Sequence, residues 1–405
     1  MGVGAYKRMI RFKQLMALSN VVLLDNPAAE GSRNFLEGMI HKRIDKEFED
    51  PDEEEKEIIQ EIKEKNLRFV ERISKQHRNK DPYNQILANV REKDVHLFYK
   101  FADATVDRTL LEDLGDALKR AGVKSTTLYM PFIPCQRQDK KDDGRVPISA
   151  KNFFDVVNVS FGKTLKRFVT VDLHAPQAQA HFDGPVDELS AIPQFAAYYR
   201  ELLKEDLAKD NVMVFACDAG GAKRARYLSK LMGGTGYFVL ADKGRPSHGR
   251  VEKREFFIPY NVGGKKLIGI DDMVDTAGSL AGEYEQDIEG PIQFLQGLNA
   301  EVYFASTHHI LSQKNGISAE ERLRRCGAPA LFTNSLPKKN ANYYQDNADF
   351  MTVLGLEYDF AKAFYCNQAG ESISAYLLKR EKALEADKLN FVVKKSAEGL
   401  YVVEG

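Results

Sequence analysis

Several things are scarce in this chain of 405 residues, and each scarcity excludes a class of function. Its four cysteines, Cys135, Cys217, Cys326 and Cys366, are scattered with no CxxC pair. They are expected to be free thiols in a reducing cytoplasm, not a zinc site or a disulfide framework. No apolar run reaches the length needed to cross a bilayer, so no membrane partner is expected. The opening MGVGAYKRMIRF has neither a signal-peptide apolar core nor the Ser or Thr at position 6 that myristoylation needs. A formal net charge of −1 offers no basic surplus for nucleic acid. The phosphate-binding pattern GxxxxGK[ST] is missing, which rules out a P-loop kinase. No repeat or low-complexity segment stands out.

What is present suits a globular protein of two domains plus extras, 43% hydrophobic and 29% charged. Val21–Leu24 reads as a first strand and 30–44 as a helix. The acidic stretch 45–57 ends in Asp52-x-x-Glu55, a capping box after Pro51. Ile59, Ile62, Phe69, Val70 and Ile73 then recur at roughly helical spacing, which predicts a surface helix with one packed face. From Val95 strands and helices alternate. Strands are expected at 95–99, 126–133, 167–171, 212–216, 237–240 and 267–270. Helices are expected at 110–121, 149–159, 192–203 and 224–232. Such alternation implies a parallel sheet covered on both faces, with ligands beyond the carboxyl ends of the strands. After Tyr376 come a charged helix and two short apolar runs around Gly399 that read as a β-hairpin.

The most informative stretch is IGIDDMVDTAGSL, residues 268–280. Apolar residues are followed by Asp271 and Asp272 where the strand is expected to end. A small-residue loop follows, Asp275-Thr276-Ala277-Gly278-Ser279, and Leu280 opens a helical pattern. Backbone N–H groups and hydroxyls at a strand-to-helix junction receive an anion, and the acids hold ribose hydroxyls or magnesium. Taken alone, the loop could equally be an ordinary βα turn with an Asp cap. Polar segments fall past other strands. Arg137, Gln138, Asp139, Lys140 and Lys141 follow Pro134, and His174 follows 167–171. Asp218 with Gly220, Gly221, Lys223 and Arg224 follows 212–216. Lys243 and Arg245 follow 237–240. Alone, such a run is an exposed loop and such a histidine is structural.

In order, these segments (RQDKK…RVPISAK, VDLHAPQAQAHFD, DAGGAKRAR, DKGRP, DDMVDTAGS, THHILS and GESIS) resemble the ribose-phosphate pyrophosphokinase family from about residue 86 to 376. The resemblance implies two tandem phosphoribosyltransferase-like α/β domains, at 1–164 (completed by about 358–378) and 165–357, with 379–405 as an extension. It implies transfer of the β,γ-diphosphate of ATP to the C1 hydroxyl of ribose 5-phosphate, with Mg2+, in a cytoplasmic homo-oligomer built from dimers, up to a hexamer. ATP would lie between the domains. Arg137, Gln138 and Asp139 match ATP contacts. His174 and Asp218 match magnesium ligands, and Lys243 and Arg245 match catalytic-loop cations. Asp271, Asp272 and Asp275–Ser279 match the ribose 5-phosphate site. An ungapped count puts His77 and Asp81 on the family's adenine-reading hairpin, although the glycine and one acid of its usual motif are not there. The acidic segment near 42–75 and part of 283–297 look like insertions. Gly244 stands for a common arginine and Ser279 for a common threonine. Rival readings are a pyrophosphokinase acting on ADP-ribose or another ribose 5-phosphate ester, a catalytically inactive regulatory homologue, and a phosphoribosyltransferase that consumes the product.

Overall fold

The computed structural model of the chain describes residues 3–25, 30–79, 81–141, 143–242, 256–282, 288–338, 340, 342–385, 392–395 and 401–404. The chain forms two units, one of residues 1–189, 337–339 and 357–376, the other of 190–336, 340–356 and 377–405. Its strands are β1 (Val21–Asp25), β2 (Arg72–Gln76), β3 (Pro82–Ile86), β4 (Asp94–Phe98), β5 (Ser125–Tyr129), β6 (Leu165–Val171), β7 (Val186–Leu189), β8 (Val212–Ala216) and β9 (Gly236–Val239). They continue as β10 (Ala241–Asp242), β11 (Phe256–Phe257), β12 (Lys266–Val274), β13 (Glu301–His309), β14 (Ala330–Thr333), β15 (Met351–Leu354), β16 (Val392–Lys395) and β17 (Tyr401–Glu404).

The first unit is built on a sheet of order β1-β4-β5-β6-β7 in which every pairing is parallel. Its strands are buried almost without alternation, because helices 104–121 and 149–161 cover one face and the helix Glu357–Ala369 packs on the other. Leu97, Leu128 and Phe168 from strands meet Leu114, Phe153 and Phe161 from those helices in one core. The helix Ala104–Ala121 begins on Asp103, whose carboxylate accepts from two backbone N–H groups, and stops at left-handed Gly122. β2 and β3 form an antiparallel hairpin outside the sheet. The returning helix Glu357–Ala369 belongs to this unit: Gln368 Nε2 reaches His96 Nε2 at 2.6 Å, and His96 Nδ1 lies 2.8 Å from the Tyr129 hydroxyl. Burial holds the His96 pKa down to about 3, so the ring is neutral and can accept from Gln368.

The second sheet has the order β16-β17-β15-β14-β13-β12-β8-β9 and is parallel except for the terminal β16–β17 pair. The chain runs from β8 outward to β9, then returns to place β12 on the other side of β8. The order reverses there, and a parallel sheet binds ligands beyond the carboxyl ends of the two strands flanking such a reversal. The first sheet has no reversal of this kind. At the centre of the second sheet, Gly269 leaves room for two aromatic rings. A Cβ at this position would lie 2.7 Å from Phe215 and 2.8 Å from Phe304. Gly269→Ala is expected to destabilise the protein by about 1–3 kcal/mol through overpacking. Thermal unfolding of the variant checks this, and an unchanged midpoint would refute it.

The α/β reading and most expected elements hold, with instructive differences. The capping box is formed, Asp52 accepting from the Glu55 N–H at 2.9 Å and Glu55 from the Asp52 N–H at 3.2 Å. Its helix buries Ile59 and Ile62 but ends at Lys65. Phe69 bridges to Leu23 and Ile73 lies in β2, so the apparent helical spacing ran across two structures. The strand expected at 126–133 ends at Tyr129. The boundary expected at 164 lies at 189, because β6 pairs with β5 in the first sheet. The C-terminal extension clusters with the second unit. Its hairpin forms as expected, but β17 pairs with β15, and the Gly355 N–H donates to the Tyr401 carbonyl at 2.7 Å. All four cysteines are free thiols. Among the described residues no helix is long and apolar enough to cross a membrane.

Candidate active site

Beyond β8 and β12, at the reversal, sit the two segments singled out from the second half of the sequence. β12 does not end before the acids. It runs through Asp271 and Asp272 to Val274, because β13 keeps pairing with it as far as Val274↔His309. Asp272 is 2% exposed and forms an ion pair with Arg224 Nη2 at 3.3 Å. Arg224 belongs to the helix Ala222–Leu231 that follows Asp218, so this pair ties the β8 loop to the β12 acids. Asp271 accepts the backbone N–H of Asp272 at 2.8 Å. Burial, reinforced by the Asp272 carboxylate, pushes Asp271 up to about 7. Paired acids with one raised pKa are a mark of functional sites.

The loop after β12 turns its carbonyls to one side. The Val274 carbonyl accepts from the Ile310 and Leu311 N–H groups at 2.9 and 3.1 Å, and the Asp275 carbonyl accepts from the Ser312 N–H at 3.0 Å. In a trans peptide the C=O and the following N–H point in opposite directions. The N–H groups of Asp275 and Thr276 therefore point away from the chain that follows β13. Ala277 then adopts the left-handed conformation (φ 60°, ψ 0°), which costs a non-glycine residue about 1 kcal/mol. A concave run of N–H groups with a left-handed residue is an anion-binding nest. The expected helix is a single turn, Gly278–Ala281, started by the Leu280 and Ala281 N–H groups on the Ala277 carbonyl. One turn has little macrodipole of its own.

Asp218 lies just past β8, and its Oδ1 accepts from the Gly221 N–H at 3.1 Å. Gly221 packs closely under this loop, since a Cβ there would lie 2.9 Å from the Ala216 Cβ.

In the first unit, the structure brings the RQD segment and the His174 segment together. The His174 N–H donates to Gln136 Oε1 at 2.7 Å, and Gln177 Nε2 lies 3.5 Å from Asp139 Oδ2. Gln138 is held at the start of the next helix, its Oε1 accepting from the Ser149 hydroxyl at 2.5 Å. Arg137 is exposed. Cys135 (φ 64°) and Asp172 (φ 41°) flank these residues in left-handed backbone, as Ala277 does in the loop. Gln136 was not singled out by the sequence. It is 4% exposed and looked like one more polar residue in a charged run.

His77 and Asp81 close the β2–β3 hairpin, the His77 N–H donating to the Asp81 carbonyl at 2.8 Å. Both side chains are exposed, and the His77 ring packs edge-on against Tyr83, 5.7 Å between centroids. Lys243 and Arg245 lie outside the described residues. Among the described residues no three His, Cys, Asp or Glu side chains gather into a metal cage.

The comparisons with known proteins agree with this geometry. Residues 52–160 match the N-terminal domain of ribose phosphate pyrophosphokinase. The chain is 34% identical over 285 residues to the ribose-phosphate pyrophosphokinase of Bifidobacterium longum, covering 69% of this chain and 76% of that one. It is 34% identical over 292 residues to that of Cereibacter sphaeroides, covering 72% and 80%. The crystal structure of phosphoribosylpyrophosphate synthetase from Mycobacterium smegmatis superposes with a TM-score of 0.65 at 26% identity, covering 89% of this chain and 99% of that one. With the parallel sheets, the loop at the reversal of strand order and these likenesses in agreement, the chain belongs to the ribose-phosphate pyrophosphokinase family.

Proposed function

We infer that the protein transfers the β,γ-diphosphate of ATP to the C1 hydroxyl of ribose 5-phosphate, giving phosphoribosyl pyrophosphate and AMP. The observation that carries this reading is the Asp271–Ser279 segment beyond the reversal between β8 and β12, where acids precede peptides whose carbonyls are bonded to the chain after β13 and whose N–H groups point the other way. The 5-phosphate would sit in the nest of Asp275–Ser279, and Asp271 would accept from ribose hydroxyls. Asp272 would act through Arg224, which it holds in place.

ATP would be received by Arg137, Gln138 and Asp139, with adenine near His77 and Asp81 of a hairpin. Magnesium, when bound with ATP, would neutralise and order the triphosphate. His174 and Asp218 are the side chains assigned to it, with Gln136 fixing the backbone that carries His174. Lys243 and Arg245 would face the charge that develops on the transferred group. The protein itself performs little covalent chemistry: it aligns the C1 hydroxyl with the β-phosphorus, excludes water and neutralises charge. A cytoplasmic homo-oligomer built from dimers belongs to the same proposal, and light scattering on the purified protein tests the assembly.

The decisive experiment offers ATP and magnesium with ribose 5-phosphate or with ADP-ribose and identifies products by mass. AMP with ribose 5-phosphate is the expected result. AMP with ADP-ribose alone would move the activity to a ribose 5-phosphate ester, and AMP with neither would point to an inactive regulatory homologue.

A further inference from the structure

Arg322 stands behind the loop, in the helix Ala319–Cys326, and is fully buried. Nothing in AEERLRRC distinguishes it in sequence from Arg324 and Arg325, which take exposed carboxylate partners. Arg322 instead turns inward onto backbone. Its Nη2 donates to the Lys314 carbonyl at 2.9 Å, and its Nη1 to the Ile317 carbonyl at 3.0 Å and to the Thr276 carbonyl at 3.4 Å. Burying a guanidinium is costly, and an apolar side chain would fill such a place more cheaply. The bonds to Lys314 and Ile317 shape its own loop. The bond to Thr276 reaches the candidate anion site.

We propose that Arg322 is a positioning residue for the 5-phosphate loop: it holds the Thr276–Ala277 peptide with its carbonyl inward, so that the Ala277 N–H is directed at the phosphate. This rests on the reading of Asp275–Ser279 as the 5-phosphate site. The physical need for such a clamp is visible in the backbone. Rotating that peptide by half a turn changes φ of Ala277 by about 180°, from the left-handed region to an ordinary negative value. The flip would relieve the strain at Ala277 and aim a carbonyl oxygen at the anion. The loop therefore has two orientations, of which the strained one binds phosphate, and a charge-assisted bond from Arg322 selects it. The buried positive charge also favours an anion on the far side of the peptide.

Two measurements test this. In Arg322→Lys and Arg322→Gln, the KM for ribose 5-phosphate is expected to rise about tenfold, equivalent to about 1.4 kcal/mol, while the KM for ATP stays within about twofold. Adding Ala277→Gly, which removes the strain that favours the flip, is expected to recover part of the loss. A merely structural arginine would raise both constants together with a lower thermal midpoint, and Ala277→Gly would not help. That pattern, or an unchanged KM for ribose 5-phosphate, overturns the proposal. Should the variants not fold, the unmodified protein labelled with 15N in alanine and glycine is titrated with inorganic phosphate and then ribose 5-phosphate. A downfield shift of the Ala277 amide supports the proposal. A shift of Gly278 without Ala277 overturns it and leaves the 5-phosphate site standing. No response in either amide, together with an unchanged KM in Ser279→Ala, overturns the site and the proposal with it.

Discussion

Lys243→Ala is expected to lower turnover at least about a hundredfold while ribose 5-phosphate still binds. A cation aimed at charge that appears only during transfer contributes to the transition state and little to the ground state, so its removal acts on kcat and not on binding. Loss of a single such donor typically costs about 100- to 1,000-fold. In the proposed reading, ribose 5-phosphate would be held by the β12 loop of the second unit, and Lys243 would take no part in that binding. Single-turnover AMP release and isothermal titration with ribose 5-phosphate separate the two quantities. Near-normal turnover would remove Lys243 from the mechanism, and Arg245 would then be the first residue to vary.

Asp271→Asn is expected to change activity and stability in opposite directions. An amide offers ribose hydroxyls one weaker acceptor where the carboxylate offers two, so kcat/KM for ribose 5-phosphate should fall about a hundredfold. The stability effect depends on pH. Burial and the Asp272 carboxylate raise Asp271 to about 7 in the folded protein, against about 3.9 in an unfolded chain. The folded state thus holds the proton more tightly. Stability from this group is fully present below about pH 4, is lost as pH rises to about 7, and stays lost above that. Asparagine carries no charge to repel Asp272 and escapes the loss. In ligand-free, metal-free buffer the variant should match the wild type at pH 4 and exceed it at pH 8 by about 1–2 kcal/mol, a value discounted for partial exposure. Equal or lower stability at pH 8 would show that the acid pair is relaxed. A site that gains stability when its acid is neutralised keeps that acid for binding.

How much of this was legible in sequence depends on how far each interaction reaches along the chain. The capping box at Asp52 and Glu55 was legible because both halves lie within one turn. The hairpin carrying His77 and Asp81 was placed by a count from residues close behind it. The turn at Asp275–Ser279 was legible because small residues directly follow an apolar strand and precede Leu280. The extent of β12 was not, since two adjacent acids read as the end of a strand. Only pairing with β13 and the Arg224 ion pair make it possible to carry them inside the sheet.

The rest belonged to contacts between distant segments. β6 joins the first sheet because β5 offers it an edge, although its sequence would suit either unit. The C-terminal hairpin could have been a free extension, and Tyr401 opposite Leu354 makes it part of the second sheet. Arg322 and Gln136 carry no local mark. Their roles follow from the backbone they meet, Thr276 for one and His174 for the other.

The sequence by itself determined the chemistry on offer: a parallel α/β chain with free thiols, acids and a small-residue loop at one strand end, and cations and a histidine at others. The tertiary structure decided which of these groups meet and in what state. It raised Asp271 by burial, committed Asp272 to Arg224, reversed the strand order at β8 and β12, and turned one peptide toward Arg322. The reason is physical: composition and spacing act within a turn or a strand, whereas burial, register and peptide orientation are fixed only when segments far apart in the chain compete for the same space and the same hydrogen bonds.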